Sequence, residues 1–151
     1  AVGIFQGERT IPVLLDYFEQ LGSGDDFRRM CILDSLIFNP DRHYGNFGVM
    51  FDTETMEPIC MCPVFDNNRS LFPDLDQDQL EHPDWYLQRC KPMLGKDFLI
   101  TARALMTPEI RSDLKNMIGF RFSQHKRITA PQERLDALSE IINRQIKAIL
   151  E

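Results

Sequence analysis

Two polar segments of the sequence contain the side chains best suited to chemistry. Residues 39–48 read Asn-Pro-Asp-Arg-His-Tyr-Gly-Asn-Phe-Gly, and within them Asn46 follows Asp41 by five residues. Residues 63–68 contain Asp66, which lies 25 residues after Asp41. Two carboxylates and one amide supply hard oxygen donors, which are the ligands that Mg²⁺ prefers in proteins.

The order and spacing of these donors fit the transfer of a phosphoryl group from a nucleotide. A carboxylate must orient the attacking hydroxyl and accept its proton, and the metal on the nucleotide phosphates needs oxygen ligands. In protein kinases these roles fall to a loop Asp, an Asn five residues later and an Asp beyond a short hairpin. Asp41, Asn46 and Asp66 therefore predict a metal–nucleotide site.

For these side chains to meet, the segment between them must fold back on itself. Residues 47–51 and 59–64 have the character of strands, and the polar residues 52–55 between them are typical of a turn. A hairpin returns its second strand beside the first. We therefore expect Asp66 to come back near Asn46 despite their separation in sequence.

The other elements that must support this site are mostly helical, because their apolar residues recur at helical spacing. Helices are expected over residues 11–21, stopped by Gly22 and Gly24; from a cap at Asp25 or Asp26 to just before Asn39; over about 97–106; from Thr107 and Pro108 onward; and over about 131–150. The acidic residues 72–84 predict an exposed loop with one or two short turns. The sequence thus predicts a mainly α fold with one small β-hairpin.

Composition excludes several classes of protein. The 151 residues suit one domain, and 43 % hydrophobic with 26 % charged residues is an ordinary globular composition. A net charge of −6 argues against direct binding to nucleic acid. No apolar run approaches the roughly 18 residues of a membrane helix, and the N-terminus does not resemble a signal peptide. We therefore expect a cytoplasmic protein without membrane contact.

The four cysteines, at positions 31, 60, 62 and 90, are expected to be free thiols, since a chain of this size can form a core without disulfides. A zinc site at Cys60 and Cys62 would need two further ligands at a suitable spacing, and the sequence does not offer them.

The polar segments contain two motifs, Asn-x-Asp-Arg-His-x-x-Asn-Phe-Gly over residues 39–48 and Pro-x-Phe-Asp-Asn over residues 63–67. Together they resemble the C-terminal catalytic lobe of HipA-like kinases, which are serine/threonine kinases related to bacterial toxin–antitoxin systems. The resemblance implies that Asp41 is the catalytic aspartate, that Asn46 and Asp66 bind Mg²⁺ and through it ATP, and that His43 braces the catalytic loop. It extends over most of the chain.

An Asp-Arg-His-x-x-Asn segment also occurs in phosphoinositide kinases. Those usually carry Asp-Phe-Gly at the second metal position, whereas here Asp66 is preceded by Pro63 and followed by two asparagines. Both features favour the HipA-like interpretation. Two alternatives stay open: a lipid or small-molecule kinase of the wider superfamily, and a non-catalytic, antitoxin-like binding module.

A complete kinase also needs a Gly-rich phosphate loop and a strand Lys in an N-terminal lobe. All five lysines follow the catalytic motif, and Gly22 and Gly24 precede acidic residues rather than a strand. We therefore expect residues 1–151 to be one C-terminal-lobe domain of a longer kinase, inactive and weak in ATP binding without the lobe that covers the phosphates. The longer kinase would phosphorylate a protein Ser or Thr. Its protein substrate, its own N-terminal lobe and an antitoxin are the partners that the resemblance implies.

Overall fold

A computed structural model of the protein describes residues 10–151. In that range it contains seven helices and a two-stranded antiparallel sheet. The elements are α1 (Ile11–Gln20), α2 (Gly24–Ile37), β1 (Val49–Phe51), β2 (Pro58–Met61), α3 (Gln77–Glu81), α4 (Asp84–Arg89), α5 (Phe98–Ala104), α6 (Pro108–Asn116) and α7 (Gln132–Leu150). The predicted mainly α fold with a small hairpin is confirmed.

Helices α1 and α2 meet at a tight junction. Gly22 adopts a left-handed conformation with φ 73°, which a residue with a side chain rarely takes. Gly24 opens α2 rather than ending α1, and Ser23 is its N-cap residue. The prediction of a cap at Asp25 or Asp26 is therefore wrong. These two acids lie in the first turn of α2, where their negative charges interact favourably with the positive end of the helix dipole.

Helix α2 is the central helix, and α1, α5 and α7 all pack against it. Phe27 and Met30 of α2 are fully buried, and the Phe27 ring stacks on Phe18 of α1 with 5.1 Å between ring centroids. The Ser35 hydroxyl donates to the Phe98 carbonyl of α5, and the Ser35 carbonyl accepts a hydrogen bond from Gln145 of α7. Apolar packing and buried polar contacts thus fix α2, and the loop that follows it, to three neighbours.

The hairpin is shorter than predicted. Val49 pairs with Met61, and both side chains are buried against the helices, but the register becomes irregular beyond Met50. A serine from the helical part also holds the hairpin, because the Ser23 hydroxyl accepts a hydrogen bond of 3.0 Å from the Met61 amide. The second strand ends at Met61 rather than at residue 64. The segment that leads to Asp66 therefore lies outside the sheet.

The later helices agree with the predicted segments, with one addition. The Thr107 hydroxyl caps α6 by accepting from the Ile110 amide, and α7 buries the predicted apolar stripe. The acidic residues 72–84 contain α3. A capping box formed by Asp76 and Gln79 begins this helix, and its Leu80 side chain is buried. Helix α4 follows at once and was not predicted. No helix in the described part of the chain is both long and apolar enough to cross a membrane.

Candidate functional site

The polar loop begins with a sharp change of direction at the end of α2. Phe38 adopts a left-handed conformation with φ 51°, and the amides of Phe38 and Asn39 both donate to the carbonyl of Asp34. The Asn39 side chain then donates to the Asp34 carboxylate at 3.0 Å and accepts from the Asp41 amide at 3.1 Å. The start of the loop is therefore tied to the last turns of the helix.

Arg42 lies at the centre of the loop with only 1 % of its surface exposed. Its Nε and Nη2 atoms donate to the two carboxylate oxygens of Asp34 at 2.9 and 2.8 Å, which is a bidentate ion pair. Burying two charges costs several kcal/mol unless the pair is well aligned and the remaining donors are satisfied. Both conditions hold here, because all five guanidinium N–H groups of Arg42 have an acceptor.

The other three donors of Arg42 join the loop to the segment after the hairpin. Nη1 donates to the carbonyls of Asn46 at 2.8 Å and Phe65 at 2.6 Å, and Nη2 donates to the side-chain oxygen of Asn67. Since one nitrogen contacts both carbonyls, the backbones at Asn46 and Phe65 lie side by side. Arg42 thus joins its own loop to a backbone carbonyl that lies 23 residues further along the chain.

Asp66 lies between the two residues that Arg42 holds, and it has an unusual backbone. Its φ of 54° is in the left-handed region, where a residue with a side chain costs about 1 kcal/mol or more. The hydrogen bonds from Arg42 to Phe65 and Asn67 on either side fix this conformation. The exposed Asp66 side chain is therefore placed by its neighbours rather than by contacts of its own.

The three predicted site residues keep oxygen acceptors unused. The buried Asn46 donates through Nδ2 to the Asp41 carbonyl at 2.9 Å, and Oδ1 accepts no hydrogen bond from residues 10–151. The carboxylates of the half-buried Asp41 and of Asp66 make neither a hydrogen bond nor an ion pair with any described residue. Asp34, by contrast, has both carboxylate oxygens occupied.

His43, the remaining predicted site residue, makes its contacts within the loop. Its Nδ1 accepts from the Gly45 amide at 3.0 Å, its own amide donates to the Asp41 carbonyl, and its carbonyl accepts from the Asn46 amide. A Cβ on Gly45 would lie only 2.8 Å from the His43 ring, so a larger residue there would displace the ring from this contact. These contacts suit a side chain that braces the loop.

The free acceptors fit Mg²⁺ bound together with a nucleotide. Mg²⁺ usually takes one or two protein ligands and completes its shell with phosphate and water oxygens, so two oxygen donors such as those of Asn46 and Asp66 would be enough to hold it. No group of three or more His, Cys, Asp or Glu side chains suited to a metal occurs between residues 10 and 151. Cys60 and Cys62 belong to no such group, and all four cysteines are free.

The sequence alone assigned no contact to two members of the site, Asp34 and Asn67. Asp34 lies on the buried side of α2, where a lone carboxylate eight residues before an arginine could have indicated a buried ion pair. Asn67, which is also consistent with a simple turn residue, is an acceptor for Arg42. Arg69 is exposed and lies near Asp74 at 3.8 Å, so it takes no part in this network.

Comparisons of the chain with protein-family models, with curated proteins and with solved structures find no match. The chemistry of the polar loop is therefore inferred from its own donors, acceptors and burial.

Proposed function

We propose that this chain is the phosphoryl-transfer lobe of a HipA-like kinase, which moves the γ-phosphoryl group of ATP to a Ser or Thr hydroxyl of a protein. The observation that carries the proposal is the buried Arg42 network. It holds the loop that bears Asp41 and Asn46 beside the segment that bears Asp66. A buried ion pair is costly to maintain in a surface loop, and it suits a site whose oxygen acceptors must keep fixed positions.

In this proposal Asp41 orients the acceptor hydroxyl and accepts its proton. Its carboxylate has no partner among the described residues, so an incoming hydroxyl meets no competing donor. Its backbone is held on both sides, because its amide donates to Asn39 and its carbonyl accepts from Asn46. The base is therefore positioned through its main chain, while its side chain stays open to substrate.

Asn46 and Asp66 would hold Mg²⁺ with the nucleotide phosphates. When bound, the metal neutralises charge on the phosphates. The contribution of the chain is geometric. The bond from Asn46 Nδ2 to Asp41 leaves Oδ1 as the free atom of that amide, and the left-handed backbone of Asp66 is fixed by Arg42.

The metal assignment can be tested on this chain by NMR with ATP and Mn²⁺, which replaces Mg²⁺ and broadens the signals of nearby nuclei. Such a measurement detects weak binding, which is what we expect of this chain. ATP with a trace of Mn²⁺ should broaden amide signals of residues 41–48 and 64–68. The Asp66→Ala variant should lose this broadening, whereas Asp74→Ala, which removes an exposed acid nearby, should keep it.

Broadening that does not require ATP, or that centres on the acidic residues 74–84, would contradict the metal assignment. The catalytic role needs the complete kinase that the proposal implies. There, Asp41→Asn should abolish transfer of phosphate to a protein substrate while ATP binding is retained, because the base is lost and the metal ligands remain. An Asp41→Asn enzyme with undiminished turnover would refute the role of Asp41.

A further inference from the structure

A loop far along the chain from the candidate site has an unusual charge. The chain has 23 acidic residues, yet none lies between Asp113 and Glu133. Most of this interval is the connection between α6 and α7, residues 117–131, which we call the basic loop. It carries Arg121, Lys126 and Arg127. Among the acids of residues 10–151, only those of α7 approach one of these cations, Arg121, at 3.9 and 4.0 Å.

The basic loop is held firmly to α7. Asn143 accepts from the Gly119 amide and donates to the Phe120 carbonyl, both at 2.6 Å, and Ser139 accepts from the Phe122 amide at 2.9 Å. Gln124 closes the tip by two hydrogen bonds to the backbone of residue 130. A loop that is already ordered loses little conformational entropy when it binds a partner.

The tip of the basic loop also exposes apolar surface. Ile128 is 73 % exposed beside Lys126 and Arg127, and Ile118 is 50 % exposed nearer the base of the loop. Exposed apolar side chains next to cations that pair with no acid of residues 10–151 are suited to a partner that offers acidic and apolar groups together.

The chain itself contains a surface of that chemistry. Residues 72–84, which we call the acidic segment, have no Lys or Arg. Its five acids are all exposed, namely Asp74, Asp76, Asp78, Glu81 and Asp84. Trp85 follows directly and is 57 % exposed.

The basic loop and the acidic segment both contact α7. Arg134, at the start of α7, donates to the carbonyls of Phe72 and Leu75 in the acidic segment, and α3 packs against α7. The basic loop is bound to α7 at Ser139 and Asn143. Among the described residues, no ion pair joins the basic loop to the acidic segment. Both charged surfaces therefore contact α7 without pairing with each other in residues 10–151, where Asp74 and Asp84 pair instead with Arg69 and Arg144.

We propose that this surface is a self-complementary interface through which two copies of the chain form a dimer about a twofold axis. Rotation by 180° places the basic loop of each copy on the acidic segment of the other, so the same contact is made twice. Each copy carries a net charge of −6, which disfavours any association that does not match opposite charges. Ile128 and Trp85 supply the apolar part of the contact.

The test is analytical ultracentrifugation of the chain over a range of protein and salt concentrations. We expect a dimer at low ionic strength that dissociates as salt screens the contact. Lys126→Glu with Arg127→Glu should raise the dimer dissociation constant by about a hundredfold, since like charges then face each other. Lys96→Glu, which changes an exposed lysine outside both surfaces, should leave dimerisation unchanged.

A charge exchange makes the test specific. The variant with Lys126→Glu and Arg127→Glu and a second variant with Asp74→Lys and Asp78→Lys should each be monomeric alone. Mixed together, they should form a heterodimer, because the reversed loop of one then faces the reversed segment of the other and the second contact is native. A wild-type chain that stays monomeric at low salt, or variants that do not associate when mixed, would overturn the proposal. Binding of the monomer to anionic vesicles would assign the basic loop to a lipid surface instead.

Discussion

Replacing Asp34 with alanine should leave the guanidinium of Arg42 buried without its counter-charge. The substitution removes two hydrogen bonds from Arg42, of 2.8 and 2.9 Å, and one of 3.0 Å from Asn39. Both charged side chains are almost fully buried, with 1 % and 6 % of their surfaces exposed, so bulk solvent does not reach the guanidinium to replace the lost partner. The structure therefore predicts a large loss of stability from one side chain.

The size of the loss follows from the burial. Removing one partner of a buried ion pair typically costs about 3–5 kcal/mol, since an uncompensated charge remains in the interior. A domain has only about 5–15 kcal/mol of stability in total. With a urea dependence of about 2 kcal/mol per molar, a loss of about 4 kcal/mol lowers the unfolding midpoint by about 2 M.

The measurement is urea unfolding followed by circular dichroism, with Asp113→Ala as the matched control. Asp113 also pairs with an arginine, Arg29, at 2.8 Å, but both side chains are about half exposed. Exposed pairs contribute at most about 1 kcal/mol. If Asp34→Ala does not fold, Asp34→Asn can be measured instead, because it keeps one acceptor for Arg42. Its loss of stability should lie between those expected for Asp34→Ala and Asp113→Ala.

Equal costs for Asp34→Ala and Asp113→Ala would refute the reasoning. They would mean that the buried network adds nothing beyond a surface ion pair, and that Arg42 does not fix the polar loop. A small effect of Asp34→Asn together with a large effect of Asp34→Ala would assign the stability to the hydrogen bonds of Asp34 rather than to its charge.

Three further predictions concern single side chains. Thr107→Ala should lower the free energy of unfolding by about 1 kcal/mol, because α6 loses its cap. The Ile100 amide, by donating to Asp97, lowers the pKa of that carboxyl despite its partial burial. The ionised Asp97 should therefore stabilise the fold fully above its ordinary pKa of about 3.9. This stabilisation should be lost as the pH falls through the lower pKa of the folded state, and Asp97→Asn should remove it from the pH dependence of the free energy of unfolding. Burial raises the pKa of the Cys31 thiol to about 12, so an alkylating reagent at pH 8 should modify Cys60 in the native protein and Cys31 only after unfolding.

Each of these predictions has a clear opposite outcome. Thr53→Ala removes an exposed turn residue and should cost less than Thr107→Ala, so equal losses would exclude a capping role for Thr107. An Asp97→Asn variant with an unchanged acid limb would contradict the lowered pKa of Asp97. Labelling of Cys31 in the folded chain at the rate of Cys60 would show that Cys31 is not buried.

Local signals predicted the elements that have one apolar face and a defined start. Helix α6 was expected from Thr107 and Pro108, and α7 from its apolar stripe, because capping residues and apolar periodicity depend only on residues close together in the sequence. Helix α4 was missed because its six residues bury no side chain, which leaves no periodic signal. The start of α2 was misplaced by two or three residues, since both Ser23 and the following acids suit a helix N-terminus.

The approach of the two polar segments was predictable from the sequence, but the contacts that hold them together were not. The spacing of Asp41, Asn46 and Asp66 around a hairpin indicated that their segments meet, and the Arg42 network does bring the backbones of Asn46 and Phe65 together. The bidentate geometry of the contact with Asp34 could not be predicted, because it depends on the left-handed turn at the end of α2 that directs the loop back onto the helix. Long-range donor geometry of this kind is set by the tertiary fold.

The docking of α7 on α2 has a consequence for synthesis of the protein on the ribosome. The Ser35 carbonyl of α2 receives its hydrogen bond from Gln145, 110 residues later, and Ile142 and Ile146 of α7 share a core cluster with α2. At roughly 5–20 residues per second, translation leaves that face of α2 uncovered for roughly 5–20 s. An apolar helix face exposed for so long is a target for chaperones that hold nascent chains. The yield of folded protein in a cell should therefore depend on chaperone supply and on the speed of translation between α2 and α7.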